Sequence, residues 1–215
     1  MTWIEAVLLG VVQGVTEFLP ISSDGHLNVA AAAFDTLSSG RLAHWYITML
    51  HAGSVAAVLV YFWKDLGRLA TDRRRELVWI VLGTIPVAVV GVVAEEAIEG
   101  MTEAPILACG FWMVNGLILF VGHTARRGQV KVAEAGPAGL MAIALSQILA
   151  LLPGISRSGT TIATALRTGL DPEEAFRFSF LLGLPAIVGA VGLKVFKYVR
   201  EPFPEAIAWG PLAVG

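Results

Sequence analysis

Leu19-Pro20-Ile21-Ser22-Ser23-Asp24-Gly25-His26 interrupts one apolar run of this chain, and Leu152-Pro153-Gly154-Ile155-Ser156-Arg157-Ser158-Gly159-Thr160-Thr161 interrupts another. Each stretch follows a helical hydrophobic segment and breaks it at a proline, which has no N–H to continue the helix. Serine, glycine and charge at membrane depth are expensive and mark function more often than packing. A single polar site assembled from both stretches accounts for them most economically. Its content of arginine, histidine, hydroxyls and glycine amides suits a phosphate group.

The rest of the chain supports a membrane setting. It is 56% hydrophobic and 15% charged over 215 residues, whereas globular domains carry about 25% charged residues. Mean hydropathy is +0.72. The net charge of -2 gives nucleic-acid binding no electrostatic support. The single cysteine, Cys109, rules out an internal disulfide and disfavours a thiolate metal cluster. Glu5 and the absence of a basic n-region argue against a cleaved signal peptide, so the first helix is expected to stay in the mature protein.

Apolar segments fall at roughly 3–19, 45–63, 77–94, 104–123, 138–152 and 176–197. The first and fifth are short and end at the polar stretches. Shorter apolar pieces follow at 27–34 and 162–168, so each pair reads as a re-entrant hairpin, tolerated where protein or a water-filled cavity covers its backbone. Lys64, Arg68 and Arg73 to Arg75 form one basic loop, and Arg126, Arg127 and Lys131 another. Glu95, Glu96, Glu99 and Glu103 form an acidic loop between them. The positive-inside rule puts the basic loops in the cytoplasm and the acidic loop outside. The first hairpin then opens outward and the second inward.

The predicted architecture is therefore an all-α polytopic membrane protein, one domain over 1–215. Two inverted repeats (about 1–94 and 104–215) each contain a re-entrant helix hairpin, with the site near the midplane between them. Lys194, Lys197 and Arg200 sit on the outer side against the charge rule and are assigned to snorkelling or lipid phosphates. Residues 205–215 read as the start of a further apolar segment, which suggests a truncated chain.

Just before the first stretch, Gln13 and Glu17 share a helix face. An unpaired carboxylate at the depth of Glu17 would cost about 2.5–3.5 kcal/mol, so it needs a cation, a metal or a proton. Ser22 and Gly25 offer converging amides, Ser23 a hydroxyl, and His26 an imidazole for nucleophilic attack or proton transfer. In the second stretch, Arg157 carries the strongest signal. Its fork, with Ser156, Ser158, Gly159, Thr160 and Thr161 at a helix start, forms a phosphate cradle. A structural Arg157–Glu17 pair is the alternative, and the two are compatible. His51, near Gly53 and Ser54, is a further candidate, with helix packing as its alternative. Asn115 and His123 read as packing residues.

Gln13 to His26 and Pro153 to Thr161 resemble the two signature motifs of the bacterial undecaprenyl-pyrophosphate phosphatases of the bacitracin-resistance type. Gly53-Ser54, Phe62-Trp63 and Phe178 to Leu182 extend the resemblance over nearly the whole chain. It implies an undecaprenyl-diphosphate phosphatase that recycles the lipid carrier for peptidoglycan synthesis and confers bacitracin resistance. It also implies a multi-pass protein of the bacterial plasma (inner) membrane, an active site reached from the outer side and a divalent cation, Mg or Ca. By motif position, Glu17, Ser23, His26, Ser156, Arg157 and Thr161 match residues with catalytic or binding roles.

Three departures stand out. Gln13 replaces a usual glutamate, Asp24 replaces a usual threonine, and about two further spans are missing at the C-terminus. Asp24 restores the charge lost at Gln13, so Glu17 and Asp24 are the expected metal ligands. The expected partners are a prenyl pyrophosphate lipid, the bilayer and a second copy in a homodimer. The rival readings are a lipid-phosphate transporter or flippase, framed by inverted repeats, and an inactive lipid-pyrophosphate binder.

Overall fold

The computed structural model describes residues 2–33, 41–102, 104–125 and 128–200, with positions 210 and 213. Arg126, Arg127, Glu103, the end of the 27–34 piece and most of the 205–215 segment lie outside the described residues.

The described chain is helical, with one isolated bridge between Val130 and Leu170 and no strand. In chain order the helices are α1 (Trp3–Thr16), α2 (Ser23–Ala33), α3 (Arg41–Tyr61), α4 (Trp63–Thr71), α5 (Arg74–Val93), α6 (Glu95–Thr102), α7 (Pro105–His123), α8 (Pro137–Ser146), α9 (Arg157–Arg167) and α10 (Pro172–Arg200). A 3₁₀ segment, Gln147–Leu151, continues α8.

Local chemistry sets the boundaries. Thr2 and Glu5 close a capping box at the start of α1. Pro105 and Pro137 occupy the first turns of α7 and α8, where no N–H is needed. Asp171 Oδ1 accepts from the amides of Glu173 and Glu174 and so starts α10. Gly154 has φ +104, which favours glycine, and a Cβ there would meet the Ala108 carbonyl of α7 at 2.5 Å.

By length and composition α5, α7 and α10 can each cross a membrane. The α3–α4 pair, bent by 66°, forms a fourth candidate. Two buried clusters hold the bundle. The larger centres on Phe178, Phe180, Leu181 and Leu182 of α10 against Leu140 and Ile143 of α8. The smaller joins Leu9, Leu27, Tyr46 and Leu50 of α1, α2 and α3. Ile106, Met113, Leu117 and Phe120 of α7 are exposed, which suits contact with lipid tails.

Two segments read as loops are helices. Lys64 and Arg68 of the basic stretch lie in α4, which buries Leu69, Arg74 and Arg75 open α5, and the acidic stretch is largely α6. The outlying lysines of α10 also have protein partners: Lys194 pairs with Glu99, and Lys197 with Glu95. Arg200 stacks on Phe196 at 4.5 Å. The acidic helix thus neutralises the basic end of α10.

At the other end of the bundle, Arg177 of α10 forks onto the buried Glu76 of α5 at 2.6 and 3.1 Å and reaches Glu174 at 3.0 Å. Arg73 pairs with Asp65 at 3.3 Å. This network ties α4, α5 and α10 together. Losing one partner of such a buried pair costs about 3–5 kcal/mol.

Candidate active site

A cavity of about 240 Å³ lies between the two polar breaks and α3, α5 and α10. Its polar wall includes Glu17, Ser22, Ser23, Asp24, His51, Ser156, Arg157 and Ser158. Its apolar wall comes from Val87 of α5, Leu151, and Ala186, Ile187, Ala190 and Val191 of α10. A polar head with an apolar flank matches an amphiphilic ligand.

Glu17 caps the C-terminus of α1 and is buried. Its Oε1 accepts from Arg157 Nη2 at 2.6 Å, and its Oε2 from Ser23 Oγ at 2.6 Å. Gln13 Nε2 donates to the same Oε2 at 3.3 Å and to Ser54 Oγ at 3.1 Å. The buried charge thus has the partner its depth demands, and Gln13 braces it from behind without lining the cavity. Arg157 is the first residue of α9, whose cap is Ser156: Ser156 Oγ accepts from Gly159 N at 3.0 Å. The guanidinium lies over Gly183 of α10, where a Cβ would collide with Nη1.

The first break is strained. Ser22 holds φ +68, a left-handed conformation that ordinary side chains rarely adopt. That bend turns Ser23 toward Glu17.

The two histidines take different places. His51 Nε2 stands 3.4 Å from Asp24 Oδ1 and 3.7 Å from Glu17 Oε2, on the cavity wall. His26 is not among the lining residues. Its ring packs on Trp112 of α7 at 4.7 Å, and its Nδ1 is 2.7 Å from the Ser22 carbonyl. Gly25 is pressed against the same tryptophan, where a Cβ would meet Nε1 at 2.7 Å. Gly159, Thr160 and Thr161 also stand behind the cavity. Both threonine hydroxyls donate to the Arg157 carbonyl, at 3.0 and 2.8 Å, and so fix the turn that presents Arg157. Thr161 Oγ1 and Ser179 Oγ are 2.5 Å apart.

Glu17 and Asp24 lie on one wall, beside the same imidazole nitrogen. Among the described residues no three of His, Cys, Asp and Glu converge on a metal position. Glu17 and Asp24 are the two carboxylates on the cavity wall that could hold a divalent cation beside a phosphate, hard oxygen donors of the kind magnesium takes.

Sequence reasoning gave no site role to Ser54, Ser179 and Gly183, and read Asn115 as a packing residue. Ser54 and Ser179 lie in stretches whose only signal was family resemblance, Gly183 falls just beyond the last of them, and Asn115 is a lone polar residue within an apolar helix.

The chain is also similar to known proteins. The family described as "Bacitracin resistance protein BacA" matches residues 6–214. "Undecaprenyl-diphosphatase 4" of Bacillus thuringiensis subsp. konkukian is 38% identical, over 100% of this chain and 82% of its own. "Undecaprenyl-diphosphatase" of Methanobrevibacter smithii is 38% identical over 99% of this chain and 84% of its own. The protein of that name from Geobacter metallireducens is 38% identical over 100% and 83%. With its two polar breaks, the cavity they share and this full-length likeness, the chain belongs to the bacitracin resistance protein BacA family.

Proposed function

We propose that this protein is an integral membrane phosphatase that hydrolyses undecaprenyl pyrophosphate to undecaprenyl phosphate and phosphate. In that role it returns the lipid carrier to peptidoglycan synthesis and confers resistance to bacitracin. One observation carries the reading: Arg157, Glu17 and Ser23 form a continuous hydrogen-bonded chain on the wall of a half-apolar cavity. The relatives' names support the substrate and the reaction.

The pyrophosphate enters between Arg157 and the serines of the two breaks. Arg157, now held by Glu17, turns its donors to the phosphate, where a planar fork matches two oxygens. Glu17, relieved of that partner, accepts the Ser23 proton. Ser23 Oγ bonds to the terminal phosphorus while the bond to the bridging oxygen breaks, and undecaprenyl phosphate leaves with the electron pair. Water then cleaves the phosphoserine and releases phosphate. His51, on the wall beside both carboxylates, is placed to handle protons there, whereas His26 steadies the first break. A divalent cation held by Glu17 and Asp24 would neutralise phosphate charge.

Inverted repeats give the cavity its setting. Each polar break ends a short apolar helix and opens a second one, α2 or α9. The lining residues of α10 lie between Gly183 and the lysines that meet acidic α6, while the Arg177–Glu76 network lies toward the basic end. That placement supports access from the outer side of the bacterial plasma membrane.

Brief turnover of a prenyl pyrophosphate labelled in its terminal phosphate, followed by acid quench, tests the mechanism. Labelled protein that disappears with Ser23→Ala is expected. Wild-type turnover with no adduct under single-turnover sampling would assign the attack to water.

A further inference from the structure

Both polar breaks pack on α7, and one side chain of α7 touches both. Asn115 is 3% exposed. Its Nδ2 donates to the Pro20 carbonyl at 3.0 Å, and its Oδ1 accepts from the Ser156 amide at 2.9 Å. The partners fix the amide's orientation, because a carbonyl only accepts and an N–H only donates. The breaks also abut directly: a Cβ on Gly159 would lie 3.2 Å from the Pro20 carbonyl. Pro20 is three residues before Ser23, and Ser156 immediately precedes Arg157. The Asn115 carboxamide therefore spans the seam between the segments that carry the attacking hydroxyl and the phosphate-binding fork.

We propose that Asn115 is a positioning residue that sets the gap between Ser23 and Arg157 by clamping the Pro20 carbonyl to the Ser156 amide. It touches neither substrate nor reacting atoms. The inference rests on the proposed phosphatase reading only for its activity readout.

Two measurements test it. In the first, Asn115→Asp and wild type are assayed on a prenyl pyrophosphate from pH 5 to 8. An ionised carboxylate still accepts from Ser156 but opposes the Pro20 carbonyl, whereas a protonated one donates to it. The variant-to-wild-type turnover ratio should therefore fall as pH rises. The charged and polar neighbours, His26 packed on Trp112 of the same helix and Arg157 beside Ser156, are the same in both proteins, so the ratio isolates position 115. A ratio that stays flat would overturn the proposal.

In the second, spin labels are placed at the exposed positions Leu19→Cys and Leu149→Cys, in a Cys109→Ser background because Cys109 is exposed. The distance distribution in nanodiscs should be narrow with Asn115 and broadened with Asn115→Leu. Turnover should fall roughly 100-fold with Asn115→Leu, the scale of a 1 Å misplacement. An unchanged distribution would overturn the proposal, and this measurement decides if Asn115→Asp fails to fold. Wild type that releases no phosphate would refute the phosphatase reading while leaving the distance test of Asn115 intact.

Discussion

Glu17→Gln removes one charge from the centre of the site with almost no change of shape. Glu17 now receives Arg157, Ser23 and Gln13 at 2.6, 2.6 and 3.3 Å. A glutamine keeps one acceptor but points an NH₂ at one of those donors and leaves the Arg157 charge unneutralised. Breaking a buried pair costs about 3–5 kcal/mol, and the retained acceptor favours the lower end. At about 2–4 °C per kcal/mol for a chain of this size, the melting temperature should fall by roughly 6–12 °C. Turnover should fall by roughly 100–10,000-fold with the loss of the group that takes the Ser23 proton. Inorganic pyrophosphate provides an internal control. With Glu17 gone, the anion becomes the partner of Arg157. At 100 times its dissociation constant it contributes about 2.7 kcal/mol, so it should recover most of the lost melting temperature. In wild type it competes with Glu17, and the gain should be smaller. Thermal melts in detergent with and without pyrophosphate, beside phosphate-release assays, measure all three quantities. A variant that melts with wild type and turns over within about threefold of it would refute the reasoning, because the ion pair would then carry neither stability nor chemistry.

Relieving the Ser22 backbone should stabilise the protein: Ser22→Gly is expected to gain about 1 kcal/mol in thermal melts and Ser22→Val to lose at least that. Asp24→Thr should impair cation-dependent turnover more with Gln13 present than after Gln13→Glu; equal losses would remove the idea that Asp24 substitutes for a glutamate. A chelator should abolish turnover, with magnesium or calcium restoring it, and chelator-insensitive activity would exclude the cation. His51→Leu should lower turnover at least tenfold without moving the melting temperature by more than a few degrees; unchanged turnover would take His51 out of the chemistry.

The long apolar runs made α5, α7 and α10 legible, because roughly twenty uninterrupted apolar residues have few uses besides crossing a bilayer. The two proline breaks were legible for the opposite reason: polar groups there need partners, and Glu17 and Arg157 supply each other. The short helices α4 and α6 were read as loops because they are only nine and eight residues long and rich in charge. Their roles depend on partners far along the chain, as with Glu99 and Lys194. His26 drew attention because it lies within the polar motif, yet α2 begins at Ser23 and the His26 ring rests on Trp112. His51 lies near no break in sequence and reaches the cavity only through the packing of α3. Asn115 gave no periodic signal, since its meaning comes from two backbone groups on different segments.

The central claim is that Arg157 and Ser23 act together on a lipid pyrophosphate. Phosphate release from undecaprenyl pyrophosphate by the purified protein in nanodiscs, compared with Arg157→Ala and Ser23→Ala, tests it most directly. Wild type should release one phosphate per lipid monophosphate formed, with both variants near background. Lipid translocation across vesicles with no phosphate released, or full release by either variant, would contradict it.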